Sequence, residues 1–324
     1  MNQELYFTTG KKSQKFVLKR LTVLSLFLMM LVLAACEGKG YLGEDPIIDD
    51  PIVDDPIIVN NNWISLPNYQ GTHVSNAVSF SIEGKLYVGM GSNSTTGYKN
   101  DLWQYDPVAK IWTEKAEFPG EQSRTCFVLN GKAYIVSVNC EMWQYNPVTN
   151  VWMQKTSFEE SIEQDFSFAC NGKGYVNGGY NKFYEYDPIA DTWSKLADFN
   201  RSGLATSSNQ NGYLIESNSA FWIYTPETDR WVQRMDFANI SPKYSFTIDN
   251  SVYAGVFNSP YSDNWDILKY NADANTWSVI AKPYNLSLNN RDGALTLVCD
   301  KKLYFGLGTG YIDFWEYDLS KILE

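Results

Sequence analysis

An all-β fold, six four-stranded antiparallel sheets closed into a ring, follows from three observations. Ten of the 11 tryptophans recur in one framework. Short alternating runs are separated by Asn-Gly turns, and a strand that lacks a sheet at the start of the globular part matches one missing at its end.

The framework reads Trp103-Gln104-Tyr105-Asp106-Pro107 followed by Trp112, and returns as Trp143-Gln144-Tyr145-Asn146-Pro147 with Trp152. It returns again as Tyr184-Glu185-Tyr186-Asp187-Pro188 with Trp193 and as Trp222-Ile223-Tyr224-Thr225-Pro226 with Trp231. Leu268-Lys269-Tyr270-Asn271 with Trp277 is a worn copy, and Trp315-Glu316-Tyr317-Asp318 a final half unit. The second tryptophan falls at 63, 112, 152, 193, 231 and 277, steps of 38 to 49 residues, the period of a repeat architecture.

Residues 1–35 read as a processing signal. Lys11, Lys12, Lys15, Lys19 and Arg20 flank the 15-residue apolar run Leu21 to Ala35, short for a bilayer-spanning helix of about 20 residues. The run closes on Leu33-Ala34-Ala35-Cys36. This resembles a bacterial lipoprotein precursor, which implies cleavage before Cys36, acylation of that cysteine, and a membrane-lipid partner in the bacterial envelope, facing the periplasm or the cell exterior. More than one acyl chain makes such attachment lasting.

Residues 36–61 read as the lipidated cysteine and a tether. Asp45-Pro46-Ile47-Ile48-Asp49, Asp50-Pro51-Ile52-Val53-Asp54 and Asp55-Pro56-Ile57-Ile58-Val59 are near-identical pentapeptides. Proline at every fifth position forbids a regular helix or interior strand, and adjacent aspartates repel, so the segment reads as an extended acidic spacer. It lacks the turn glycine and closing glutamate of the usual calcium loop.

Residues 62–324 read as the ring. Glu83-Gly84, Asn130-Gly131 and Asn171-Gly172 sit between apolar runs, where both turn residues must accept positive φ. In the second unit the four strands are placed at Thr125–Leu129, Ala133–Val136, Glu141–Tyr145 and Val151–Lys155. Alternation in Trp-Gln-Tyr points both aromatics to one side, and stacking successive sheets into a ring buries those faces. The last unit supplies Ala294–Val298, Leu303–Leu307 and Phe314–Asp318 but no fourth strand. Asn62-Trp63-Ile64-Ser65-Leu66-Pro67 matches the fourth-strand pattern and is expected on its outer edge, giving a six-bladed β-propeller with one edge fewer exposed.

Asn-Gly-Lys-x-Tyr followed by Trp-x-Tyr-Asp-Pro and a downstream Trp resembles the kelch repeat, over about residues 62–319. The family's double glycine in the second strand is intact at Gly178-Gly179; Gly89-Met90-Gly91 and Gly306-Leu307-Gly308 are near misses.

Composition limits the chemistry. The chain has 26 basic and 37 acidic residues; without residues 1–35 it keeps 21 and 36, a net charge of −15. That excludes the basic surface a nucleic-acid binder needs. His73 is the only histidine, so a His-rich metal site cannot be assembled in one chain, and neither metal nor other cofactor is expected. The copper enzymes that resemble galactose oxidase use two histidine ligands, a pattern this sequence cannot meet. Six-bladed kelch proteins also include sialic-acid mutarotases, whose sites combine acidic, basic and histidine side chains. That resemblance makes His73, Arg124, Asp165, Arg201 and Arg291, all near joins between blades on one face, candidates for acid–base work. Cys170 and Cys299 read as buried small hydrophobes; Cys126 and Cys140 lie in one blade at opposite ends of adjacent strands, where an oxidising compartment permits a disulfide without requiring it.

The same face carries two enlarged loops, Ser92 to Asn100 and Phe257 to Trp265, and the aromatic tip Gly308-Thr309-Gly310-Tyr311. Tyr98, Tyr261, Trp265 and Tyr311, with polar neighbours, are therefore candidates for contacting an envelope or extracellular protein or glycan. Trp265 is the tryptophan that the repeat does not explain. A binding module is the expected function, a sugar mutarotase or epimerase the alternative, and a structural part of an envelope complex a third class.

Overall fold

The computed structural model describes residues 63–157, 166–178, 181–236, 242–257, 265–283, 291 and 293–323, with Arg124, Phe257, Trp265 and Lys321 described by backbone alone. The signal, Cys36 and the acidic tether lie outside the described residues, as do Asp165 and Tyr261.

Six four-stranded antiparallel sheets form the propeller. Blade 1 comprises Val78–Ile82, Lys85–Gly89, Leu102–Asp106 and Ile111–Lys115. Blade 2 comprises Ser123–Leu129, Lys132–Ser137, Met142–Asn146 and Val151–Lys155, and blade 3 Ser167–Cys170, Lys173–Asn177, Phe183–Asp187 and Thr192–Lys195. Blade 4 comprises Leu204–Ser207, Gly212–Ile215, Phe221–Thr225 and Arg230–Arg234, and blade 5 Pro242–Ile248, Ser251–Phe257, Trp265–Asn271 and Thr276–Ala281. Leu295–Cys299, Lys302–Gly306 and Phe314–Asp318 make blade 6, and Trp63–Leu66 is its fourth strand. Trp63 opposes Tyr317 as Trp112 opposes Tyr105 and Trp152 opposes Tyr145, so the closing strand is in the register of every other outer strand.

The turns follow their residues. Glu83-Gly84, Asn130-Gly131, Asn171-Gly172, Asp249-Asn250 and Asp300-Lys301 all have positive φ at both positions, the geometry that matches strand twist. Blade 4 uses another device: the Ser208 hydroxyl accepts the backbone N–H groups of Gln210 and Asn211.

Packing assigns the aromatics different depths. The tyrosines of the third strands, Tyr105, Tyr145, Tyr186, Tyr224 and Tyr317, are buried to 1% exposure or less. Their tryptophan partners stay partly exposed at the sheet edges and use the indole N–H: Trp112 donates to the Pro67 carbonyl, Trp152 to that of Ala116 and Trp193 to that of Thr156. Each of these bonds ties one blade to the exit of the preceding one. Close approach sets the small residues at the blade interfaces. A Cβ on Gly174 would lie 2.3 Å from the Phe127 ring of the preceding blade, and one on Gly212 2.3 Å from Phe168.

Two further series of bonds join blades. Along the channel a small side chain on a first strand donates to a carbonyl of the preceding first strand: Ser81 to Val298, Ser167 to Cys126, Ser207 to Ala169 and Thr247 to Ser207, with Cys126 Sγ placed 3.7 Å from the Ser79 carbonyl. On the opposite face, in blades 2 to 5, the Asx five residues after the third-strand tyrosine has positive φ. Its side chain accepts that tyrosine's hydroxyl and a backbone N–H of the preceding blade. Asn150 takes Tyr145 and Ala116, Asp191 takes Tyr186 and Thr156, Asp229 takes Tyr224 and Ala197, and Asn275 takes Tyr270 and Met235.

No disulfide joins the four described cysteines to one another. Cys170 and Cys299 are buried, as small hydrophobes, and burial pushes the Cys126 thiol up to about 12.

Candidate functional site: a cleft on the loop face

Antiparallel order puts the second-to-third-strand loops and the joins between blades on one face. On blade 1 the enlarged loop folds into its own two-stranded hairpin, Ser92–Asn93 with Gly97–Tyr98. Asn93 organises it. Its Oδ1 accepts the backbone N–H groups of Thr95 and Thr96, and its Nδ2 donates to the His73 carbonyl at 2.8 Å and lies 3.1 Å from His73 Nε2. Ser75 and Ser92 exchange backbone hydrogen bonds beside it. The hairpin is thereby pinned to the join that enters blade 1, and Tyr98 stands at its end with 59% of its surface exposed.

Tyr98 borders a cleft of about 650 Å³ whose other walls include Gly71, Lys99, Asp101, Trp103, Glu117 and Glu121. A second cavity of about 220 Å³, lined by Asn76, Met90 and Ser92, also has Tyr98 and Gln122 in its wall. The floor of the larger cleft is closely packed and hydrogen-bonded. Tyr69 is buried edge-on to Trp103 and Trp112, with ring centroids 6.2 and 5.2 Å away, and its hydroxyl donates to Asp101 Oδ2 at 3.3 Å. The same oxygen accepts the Trp103 indole N–H at 2.9 Å, whereas Asp101 Oδ1 is shielded from solvent without a protein donor. Burial, and then the Asp101 charge, raise the Tyr69 phenol well above its ordinary value, so it stays a donor. Gly71 belongs to this floor because a Cβ there would come within 2.6 Å of the Tyr69 ring.

The other candidates are placed as follows. Arg291 pairs bidentately with Asp313 at 2.6 and 2.7 Å and is 7% exposed, with its guanidinium 4.1 Å from the Tyr311 ring centroid. Desolvation works to raise the Asp313 carboxyl, but Arg291 and the Trp315 indole outweigh it and hold it below its ordinary value. Tyr311, 43% exposed, thus covers the buried arginine of a partly buried ion pair. Arg201 lies 3.7 Å from Glu216 and 5.2 Å from the Trp222 ring centroid, and Glu216 also accepts the Trp222 indole. His73 is engaged with Asn93. Among the described residues, no hydrogen bond or ion pair joins His73, Arg201 and Arg291 to one another. Arg124 lies in the bulged start of the first strand of blade 2.

Trp265 is placed differently from the sequence expectation. It begins the third strand of blade 5, and its backbone pairs with Phe257, so the two ends of that enlarged loop are held across the sheet. The residues that sequence reasoning missed are Asp101, Glu117 and Glu121. A pattern was available for the first: an acidic residue two before a third-strand tryptophan recurs as Asp101, Glu141 and Asp313, and each accepts that indole N–H.

The central channel is a separate space of about 370 Å³, lined by first-strand residues of all six blades, among them Ser79, Ser167, Thr206, Ser245 and Thr296. Among the described residues no group of three or more His, Cys, Asp and Glu side chains is arranged to hold a metal ion.

No protein-family model matches the chain, and no curated protein does. Among solved structures it is similar to that of YjhT, at 16% sequence identity and a TM-score of 0.56, over 78% of this chain and 95% of that one. At that identity the likeness is one of fold.

Proposed function

We propose that this chain is a lipid-anchored, extracytoplasmic propeller that binds a glycan through its loop face, with the Tyr98 cleft as the site. One observation carries the reading. An aromatic ring is held largely exposed on a dedicated hairpin, at the mouth of a cleft whose walls supply carboxylates, an ammonium and side-chain amides. Sugars present apolar C–H faces that lie on aromatic rings and hydroxyl edges that need such partners. The envelope location rests on the lipoprotein-like Leu33-Ala34-Ala35-Cys36 and the acidic tether, and is tested by Cys36→Ser, which should lose acyl label and leave the membrane fraction on washing.

The site is tested by a glycan array on the head from Asn60 onward, with Tyr98→Ala as the control. Binding should weaken by about 1–3 kcal/mol in the variant while melting is unchanged. Equal binding by both proteins would remove the cleft from the reading. Capture of a protein partner that is indifferent to Tyr98→Ala would replace a glycan with a protein.

The second reading is mutarotation of a sugar by acid–base catalysis, as the resemblance to six-bladed kelch enzymes implies. What favours it is the set of carboxylates in the same cleft, Asp101, Glu117 and Glu121, which could hold or move a proton at a sugar oxygen. Anomer exchange followed by NMR line broadening distinguishes it: a binding module leaves the exchange rate at its uncatalysed value.

A further inference from the structure

The charges around the Tyr98 cleft point to the class of saccharide it takes. We infer that the cleft accepts neutral or amine-bearing saccharides and discriminates against those carrying a carboxylate. The inference rests on the glycan-binding reading above and adds to it the sign of the ligand's charge.

Among the described residues, three carboxylates, Asp101, Glu117 and Glu121, line the cleft against one ammonium, Lys99. Asp101 is not neutralised by an ion pair: its Oδ2 takes two neutral donors, the Tyr69 hydroxyl and the Trp103 indole, and its Oδ1 takes none within the protein. Glu117 and Glu121 are exposed, and among the described residues neither forms a salt bridge. The contrast with blades 4 and 6 is internal to the molecule. Asp313, at the position in blade 6 that Asp101 holds in blade 1, is covered by the bidentate Arg291, and Glu216 of blade 4 has Arg201 beside it. Blade 1 keeps the acidic residue and omits the arginine, and it is there that the cleft opens. A carboxylate-bearing sugar entering it would meet uncompensated like charge, whereas an ammonium or a set of hydroxyl donors would meet acceptors.

The size of the effect follows from Coulomb's law. A net charge of about −2 at roughly 7 Å, in water at about 0.15 M salt, separates singly positive from singly negative saccharides by about fivefold in affinity. Lower salt should widen the ratio.

The experiment is calorimetric titration of the soluble head at two salt concentrations, with β-1,4-linked trisaccharides of glucosamine, glucose and glucuronate and their galacto counterparts. The expected order is amine, then neutral, then uronate, with a ratio of about fivefold or more between the ends that narrows as salt rises. Glu117→Gln with Glu121→Gln should reduce that ratio, each end measured against the same variant's affinity for the neutral trisaccharide, to under about twofold. Uronates binding as tightly as amines, or a ratio that survives the double substitution, would overturn the inference. If neutral sugars bind in a Tyr98-dependent way while the charge ratio is flat, this inference falls and the glycan reading stands. If no saccharide binds in either series, both fall.

Discussion

The joint between blades 1 and 2 and the joint between blades 6 and 1 are built from the same parts and held at opposite ends. At the first, Asn150 accepts the Tyr145 hydroxyl at 2.8 Å and the Ala116 N–H at 3.0 Å, and the Trp152 indole returns a bond to the Ala116 carbonyl. At the closing joint the equivalent of Asn150 is Lys110, which has positive φ but no acceptor, and the equivalent of Ala116 is Pro67, which has no N–H. The Tyr105 hydroxyl is consequently buried without a partner. Only the Trp112 indole bond to the Pro67 carbonyl survives on that side.

The closing joint is held from the loop face instead. Tyr69 corresponds to Phe118 of the next joint, and each donates its backbone N–H to a carbonyl of the loop it crosses, Ile312 and Asn100. The added hydroxyl of Tyr69 reaches Asp101, and bonds from Asn76 to Gly293 and from Gly308 to Val74 add to the closure. Where the ring is closed by a distant strand, the bonds have moved from the turn face to the floor of the candidate cleft. The closure and the candidate cleft therefore share one piece of structure.

Removing the closing strand is the largest test of this difference. Deleting Asn60–Pro67 should destabilise the head by more than about 4 kcal/mol, because Leu66 and the register against Phe314–Tyr317 are lost together, while deleting Tyr41–Val59 should leave the melting curve in place. Equal melting of the two truncations would refute the closure. Next in size, Asn150→Ala should cost about 1–2 kcal/mol in denaturant unfolding, since the part-buried Tyr145 hydroxyl and the exposed Ala116 N–H lose their acceptor and a left-handed position loses its Asx.

The reverse substitution should repair the closing joint. Lys110→Asn supplies an acceptor for the Tyr105 hydroxyl and should stabilise by about 1 kcal/mol, and the gain should vanish in a Tyr105→Phe background. A gain that persists there would trace to backbone preference at φ 57° rather than to the hydrogen bond.

The smallest effect is in pH. The folded Asp313 carboxyl is held below its unfolded value, so its contribution is fully present above about pH 4 and is lost as pH falls through the lower folded value. Asp313→Asn should flatten the acid limb of the stability curve in that window and leave the limb above it unaltered. An unchanged acid limb would show that Arg291 and Asp313 are as well paired in the unfolded chain.

The difference between what could be read and what could not follows the range of the interactions. Strand alternation, Asn-Gly turns and the unpaired Trp63 motif are local patterns, and each unit repeats them, so the blade count, the register and the closing strand were all legible from residues 62–324. Tyr98 and Tyr311 were legible as exposed aromatics because they stand in an enlarged loop and at a loop tip between the repeated strands. Trp265 was read as part of a loop, and the structure starts a strand with it, because a worn repeat gives no internal mark of where pairing resumes.

The sequence by itself determined the ring, since a period of about 40 residues with a buried face on each side of every sheet has few other ways to be satisfied. Only the tertiary structure decided which charges are free. Asp101 and Asp313 stand in the same local pattern, Asp-x-Trp-x-Tyr, yet one is capped by an arginine from 22 residues upstream and the other faces a cleft formed from the join before blade 1, its own hairpin and the join after it. Neighbours in space at such separations leave no periodic trace in the chain, and it is they that set the electrostatics of a site.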